Sequence, residues 1–271
     1  MNEKTAGGRA IRIASPGHAA FALTMIGLGI LGLIKRDFAA PWQPVPDGVP
    51  GRGILILLCA LVPLACGIGL LWRHTAAAAA RVLFAYDLLW LLLVRVPYFL
   101  FVSSAVDGWW ASCQTAVMVA AAWVLYVWFA TDRDRQRFGF AAGDRGVRIA
   151  RALYGAALIP FGLAHFLYLE ATAPLVPDWL PGHVAWAYFT GATFIAAGAA
   201  ILIGVCARLA AALSAWQMGL FLLLVWAPRV AAGTLNDFQW GEVVTNVALI
   251  AAAWVVTESY RGLPWLAVGK R

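Results

Sequence analysis

Charge is scarce in this sequence. Acidic and basic side chains make up 12% of its 271 residues, whereas a soluble domain carries about 25%. With 63% of the chain hydrophobic and a mean hydropathy of +0.79, polar surface is too small to face water all round. Lipid is therefore the expected solvent. The net charge of +7 does not point to nucleic acid, because the basic residues lie in short turns between apolar runs and form no basic domain.

Cysteine pairs are missing too. Cys59, Cys66, Cys113 and Cys206 sit in or at the ends of apolar runs with no Cys-x-x-Cys spacing. That excludes a redox pair or thiolate metal site and leaves small buried apolar residues. No G-x-G-x-x-G follows a strand, and no G-x-x-x-x-G-K-S/T or H-E-x-x-H occurs. Ser103, Ser104, Ser214 and Ser259 stand in no nucleophile elbow. Nothing signals ATP, NAD or covalent catalysis.

What is present is length of apolar chain. Eight runs of about 17–21 residues, the length an α-helical span needs, cover roughly 17–34, 53–72, 81–102, 111–130, 152–169, 184–205, 209–227 and 241–257. The first is followed by Lys35-Arg36-Asp37, charges that a cleavage region would not hold, so it is expected to remain as an uncleaved span. Fifteen of the twenty Lys and Arg fall in the N-terminal tail, the second turn, the stretch 131–151, the sixth turn and the C-terminal tail. This bias predicts that both termini are cytoplasmic.

The polar, basic stretch 131–150 reads as a cytoplasmic connector between residues 1–130 and 151–271, its charges solvated near anionic headgroups. The two halves repeat across it. Ile26–Gly32 lines up with Ile159–His165, and Leu91-Leu-Leu-Val-Arg-Val-Pro97 with Leu222-Leu-Leu-Val-Trp-Ala-Pro228. Asp107-Gly-Trp-Trp110 lines up with Asp237-Phe-Gln-Trp240, and Ala-Ala-Ala-Trp-Val occurs at 120–124 and 251–255. The expected fold is an all-α integral membrane protein of eight transmembrane helices. Two tandem four-helix units of like orientation make it up, related by a pseudo-two-fold parallel to the membrane normal. Gly27, Gly29, Gly32, Gly155, Gly162, Gly191, Gly198 and Gly204 mark where helices are expected to approach closely.

Polar groups inside apolar spans are the candidates for function, because each costs free energy unless paired or hydrated. Asp87 lies in mid-span. Arg95 follows eight residues later, about 12 Å along a helix, which is too far for a direct pair unless the side chains reach toward each other. His165, near the outward end of the fifth span, and His183, just before the sixth, flank a loop holding Glu170 and Asp178. Such a cluster would suit proton exchange, but its spacing matches no metal signature and fits bis-His haem poorly. Arg229 is placed to pair with Asp237 or Glu242, and Trp179, Trp186 and Trp240 would supply aromatic walls. A flat aromatic lining with a few polar groups suits a quinone-like headgroup and equally an interfacial aromatic belt.

The second half, about residues 150–258, resembles the DoxX family of small four-span bacterial membrane proteins. The likeness is carried by Gly155 to His165-Phe166, Leu175-Val-Pro-Asp-Trp-Leu-Pro181, Trp186-Ala-Tyr-Phe-Thr-Gly191, Ala197-Gly198-Ala-Ala-Ile-Leu and Ala207-Arg208-Leu-Ala-Ala211. The first half departs from it, with Gly32 where the second half has His165. The resemblance implies a bacterial inner-membrane protein with a quinone-linked redox role. It carries over no catalytic residue.

The expected function is a quinone- or lipid-interacting component of a membrane redox system. Its outward-facing pocket in the second half would use His165, Trp179, His183, Arg229, Asp237, Trp240 and Glu242. Its partners would be the bilayer and a quinone or redox protein. Two other readings stay open: a non-catalytic membrane assembly protein, and a small-solute transporter using Asp87 and Arg95.

Overall fold

A computed structural model describes residues 13–45, 47–102 and 106–268. Lys4, Arg9, Arg12, Lys270 and Arg271, which the orientation argument uses, lie outside these residues, as do Ser103 and Ser104. Eight helices are long and apolar enough to cross a membrane. They are α1 (Pro16–Lys35), α2 (Arg52–Leu71), α3 (Ala76–Phe101), α4 (Gly108–Phe129), α5 (Asp144–Leu167), α6 (His183–Ile203), α7 (Ala207–Ala232) and α8 (Asp237–Glu258). An isolated antiparallel bridge joins Val205 and Val268.

Local chemistry sets several of the helix ends. The Ser15 side chain accepts from the His18 N–H at the start of α1, where Pro16 opens the first turn. Asn236 and Gln239 form a reciprocal capping box at the start of α8. Gly204 ends α6 in the left-handed conformation (φ 77°), so its role is to terminate the helix rather than to bring helices together. Both α3 and α7 widen into π-type turns at the same motif, Leu91–Arg95 and Leu222–Trp226.

Helix order around the bundle follows the chain. α1 packs on α2, α2 on α3, α3 on α4, α4 on α5, α5 on α6, α6 on α7, α7 on α8, and α8 returns to α1. α4 and α8 also meet across the middle. Burial grades accordingly: 83% of the apolar window of α4 is buried, against 28% for α6 and for α7. α4 is the central post, while α6 and α7 turn most of their surface outward. In lipid, exposed Leu, Ile and Trp on those two helices need no cover.

The closest approaches are made at small residues. A Cβ on Gly29 would lie 2.5 Å from the Ala60 carbonyl oxygen, and one on Gly67 would lie 2.6 Å from that of Ala22, so α1 and α2 touch backbone to backbone. In the α5–α6 pair, Gly162 would meet the Gly191 carbonyl at 2.4 Å, and Gly198 that of Gly155 at 2.5 Å. Gly27 faces open space. It lies on the outward side of α1 and takes no part in the crossing expected of it.

The arginines of the stretch 131–150 (Arg133, Arg135, Arg137, Arg145 and Arg148) are exposed, and the stretch itself is helical. It folds into short helices, Asp132–Arg137 and Gly139–Ala142, and α5 already begins at Asp144. The cause is a capping box between Thr131 and Asp134, joined by the Trp123 indole N–H donating to the Ala141 carbonyl (2.9 Å). Asp134 is buried, and its carboxylate accepts from Arg81 Nη2 (2.8 Å) and from Thr131 Oγ1 (2.6 Å) and N (2.9 Å).

Burial alone would push the Asp134 carboxyl up, but the bonds from Arg81 and Thr131 outweigh it and hold it at about 2. The folded state thus favours the ionised form. Its stabilisation is complete above the ordinary carboxylate value and is lost as pH falls from about 4 through 2, about 2 kcal/mol in all. Thermal melts in detergent should therefore show wild type losing more stability than Asp134→Asn across that window. Parallel curves for the two proteins would contradict this account.

The start of α1, the end of α8 and the α6–α7 turn gather at one end of the bundle. Glu258 accepts from the Gly17 N–H (3.2 Å) and from Arg261 (2.8 Å), tying the start of α1 to the end of α8. Residues 259–268 then run under the α6–α7 turn. There the Cys206 N–H donates to the Ala267 carbonyl (2.7 Å), and Arg208 donates to that of Leu263 (2.6 Å) while lying over the Trp265 ring.

Candidate functional site

In the second half a cavity of about 890 Å³ runs along α6 and α7, from the α5–α6 loop to Cys206 at the α6–α7 turn. α5 supplies its back wall with Phe161 and His165, α6 supplies Thr190, Thr193 and Phe194, and α7 supplies Gln217 and Phe221. The central helix contributes Trp110 and Gln114, and α8 contributes Glu242, Thr245 and Asn246. Spacing explains the choice. Trp110/Gln114, Glu242/Asn246, Phe161/His165 and Gln217/Phe221 are each i, i+4 pairs, which share one helix face.

The glycine crossing sets the position of His165. Gly162 lets α6 approach, and Gly191 leaves room for the His165 Cβ, 2.8 Å from where its own Cβ would stand. The imidazole Nδ1 faces the Phe161 carbonyl at 2.8 Å. The ring stacks on Phe221 (5.9 Å between centroids) and lies tilted beside Phe194 (5.8 Å). Across from it, Gln217 ties α6 to α7: its Oε1 accepts from Thr193 Oγ1 (2.6 Å) and its Nε2 donates to the Thr190 carbonyl (2.9 Å).

The roof is the α5–α6 loop, with Thr172, Leu175, Pro177, Trp179 and Leu180 against the cavity. Arg229 holds it, donating from Nη2 to the Pro174 carbonyl (2.9 Å) and from Nη1 to that of Leu175 (3.4 Å). The cavity also opens sideways between α6 and α7, where Phe189, Leu213, Trp216, Leu220 and Leu224 line it and are exposed at the bundle surface.

Of the seven residues expected to form the pocket, His165, Trp179 and Glu242 line the cavity. Arg229 sits outside it and binds loop carbonyls rather than Asp237 or Glu242. His183 opens α6, half-exposed; Asp237 opens α8 and Trp240 follows one turn later, both exposed. Glu170 and Asp178 are exposed on the loop. Gln114, Thr193, Gln217 and Asn246 are polar lining groups that the sequence reading did not single out. One signal for them was available: an amide within an apolar run also costs free energy, though less than an ionised acid, unless it is paired or faces a cavity. Among the described residues no three His, Cys, Asp or Glu side chains come together to hold a metal ion.

At the corresponding end of the first half a basic group is buried instead. Arg95, fully buried, donates to Thr115 Oγ1 (3.1 Å) and to the carbonyls of Pro44 (2.9 Å), Pro41 (3.1 Å) and Gln43. Its fork draws the α1–α2 loop into the bundle, and Trp42 fills the space, its ring against Tyr86 (5.4 Å) and Trp90 (6.2 Å). Asp87 lies beneath, with no exposure and, among the described residues, no hydrogen-bond partner on either oxygen. The Trp42 and Trp90 indole N–H groups are likewise buried without acceptors among those residues. Arg95 and Asp87 are thus not a pair, as their spacing along the helix foretold.

Compared with protein-family models, curated proteins and solved structures, the chain has no match in any of the three.

Proposed function

We propose that this protein is a multi-pass protein of the bacterial inner membrane, DoxX-like in its second half, that binds a ring-headed amphiphile of the quinone class for a membrane redox system. Both termini lie in the cytoplasm, and the roofed end of the cavity faces outward. The observation that carries the reading is the cavity itself. A volume of about 890 Å³ falls within the range of small-molecule sites, and an apolar, aromatic wall with a few polar groups is their usual make-up. Its side opening between α6 and α7 suits a ligand arriving from the bilayer, ring first, with its tail left in lipid.

The chain is organised as two four-helix units in tandem. Gly29 and Gly67 cross α1 over α2 against Ala60, Leu64, Ala22 and Ile26; Gly162 and Gly198 cross α5 over α6 against Gly191, Ile195, Gly155 and Ile159. Of these, Ile26 and Gly29 are paired with Ile159 and Gly162 in the internal alignment. The neighbour order of the helices and the two π-type turns support the same scheme. Under it Trp226 stands where the first half has Arg95. Without that guanidinium the second outer loop is not drawn down, and the space that Trp42 fills in one unit stays open in the other.

A short-tailed benzoquinone added to the purified protein in nanodiscs tests the proposal. Ligand at about 100 times its Kd should stabilise the fold by about 2.7 kcal/mol, seen as a melting temperature raised by several degrees. Ala197→Phe, which fills the cavity, should melt normally alone and lose the response. A wild-type melt unmoved by quinone at any soluble concentration would rule the function out.

A further inference from the structure

Several hydrogen-bond donors in the α6 and α7 walls of the cavity are committed within the protein. The Thr193 hydroxyl proton goes to Gln217, and a Gln217 amide proton goes to the Thr190 carbonyl. The Thr190 hydroxyl donates back into its own helix at Trp186 and Ala187. The acceptors are not spent. Because a carbonyl can only accept, the contact between His165 Nδ1 and the Phe161 carbonyl puts a ring proton on Nδ1. Nε2 of the neutral imidazole is then a lone-pair acceptor, and it has no partner among the described residues. Glu242 makes no hydrogen bond or ion pair among those residues either. Asn246 Oδ1 is buried with no donor.

We infer that the site takes the hydroxyl-bearing form of its ring ligand, a phenol or hydroquinone, in preference to the carbonyl-bearing quinone, with a ligand O–H donating to His165 Nε2. This rests on the reading of the cavity as a ring-ligand site. A ligand carbonyl set against Nε2 brings two lone pairs together and leaves both unpaired, whereas a hydroxyl satisfies the nitrogen. Gln114 and the Asn246 amide can serve either kind of oxygen, so they do not discriminate. His165 is the group that does, because its second nitrogen is already committed. Phe194 and Phe221 hold the imidazole in place while a ligand binds.

The test needs pairs of ligands alike in ring and tail but differing in whether the ring oxygen carries a hydrogen. Para-nonylphenol and its methyl ether share ring and tail, and neither exchanges electrons under assay conditions. Their affinities for the full-length protein in nanodiscs are to be compared by titration calorimetry. An alkyl-hydroquinone and the matching benzoquinone form a second pair, handled without oxygen. One hydrogen bond gained against one acceptor left unpaired should favour the phenol by about tenfold. His165→Phe keeps a flat ring in the wall and removes Nε2; it should bind both ligands of a pair with a ratio near one. Equal binding of phenol and ether by wild type overturns the inference while leaving the ring-ligand site intact. So does a preference that survives in His165→Phe. If no member of either pair binds, the ring-ligand reading falls and this inference with it.

Discussion

Replacing Gly162 with leucine is expected to prevent the protein from accumulating in folded form, and alanine at the same position should cost about 1–3 kcal/mol. The cause is geometric. A single added carbon would stand 2.4 Å from the Gly191 carbonyl oxygen and 3.0 Å from the Ile195 nitrogen. Both are backbone atoms, so no rotamer change relieves the contact, and α5 must move away from α6. In lipid there is no hydrophobic penalty to press the helices together again, because packing contacts are themselves the driving force. Gly27→Ala is the control, since a Cβ there meets nothing within 4 Å. It should be neutral or stabilising by about 0.5–1 kcal/mol through helix propensity. Melting temperatures of the purified proteins, with expression level as a second readout, check both. A Gly162→Ala protein as stable as Gly27→Ala would mean that the crossing is looser than described.

The number and approximate position of the helices could be read from the sequence because hydrocarbon imposes one length on every span. Eight apolar runs leave little choice. Ends were less readable. The third run was expected to begin at Arg81, but the alanines before it carry the helix back to Ala76. In the stretch 131–150 the arginines are exposed, as their charge suggests, while the capping box of Thr131 and Asp134 starts a helix that the charge pattern alone does not announce. Gly27 and Gly204 looked like Gly29 and Gly162 in the sequence. Only the helix face, or the end of the helix, separates a crossing glycine from one that faces lipid or terminates a turn.

The candidate site was readable in part for the same kind of reason. His165 announced itself as an imidazole inside an apolar run, and Glu242 as a carboxylate one turn inside another. Gln217 and Asn246 are polar but uncharged, and they blend into runs that hydropathy treats as continuous. Arg229 was identified as important but given the wrong partner. An arginine at a helix end satisfies itself on loop carbonyls as readily as on an acid, and the loop that reaches it lies more than fifty residues away in sequence. The same holds for Arg95, whose carbonyl partners on the α1–α2 loop no local pattern could have supplied.

Arg95→Leu is expected to lower stability by about 3–5 kcal/mol, the usual result of leaving one side of a buried polar contact without the other. Among the described residues the guanidinium is the only donor to the carbonyls of Pro41 and Pro44, and Gln43 offers a third. With leucine in place, these carbonyls would remain under the loop with nothing to accept from, unless the loop lifts and takes Trp42 out of the bundle. Either outcome is costly: an unpaired buried carbonyl costs about 1–3 kcal/mol, and exposing the tryptophan forfeits its packing on Tyr86 and Trp90. Arg95→Lys separates charge from geometry. Lysine keeps the positive charge but concentrates its donors at one point, so it cannot span Thr115 on one side and the loop on the other. It should recover only part of the loss. Chemical labelling of a cysteine placed at Gln43 would report the loop directly, slow in wild type, fast in Arg95→Leu and intermediate in Arg95→Lys. If lysine restored both stability and protection in full, charge would be the requirement, and the fork-shaped anchoring described for the first half would be wrong.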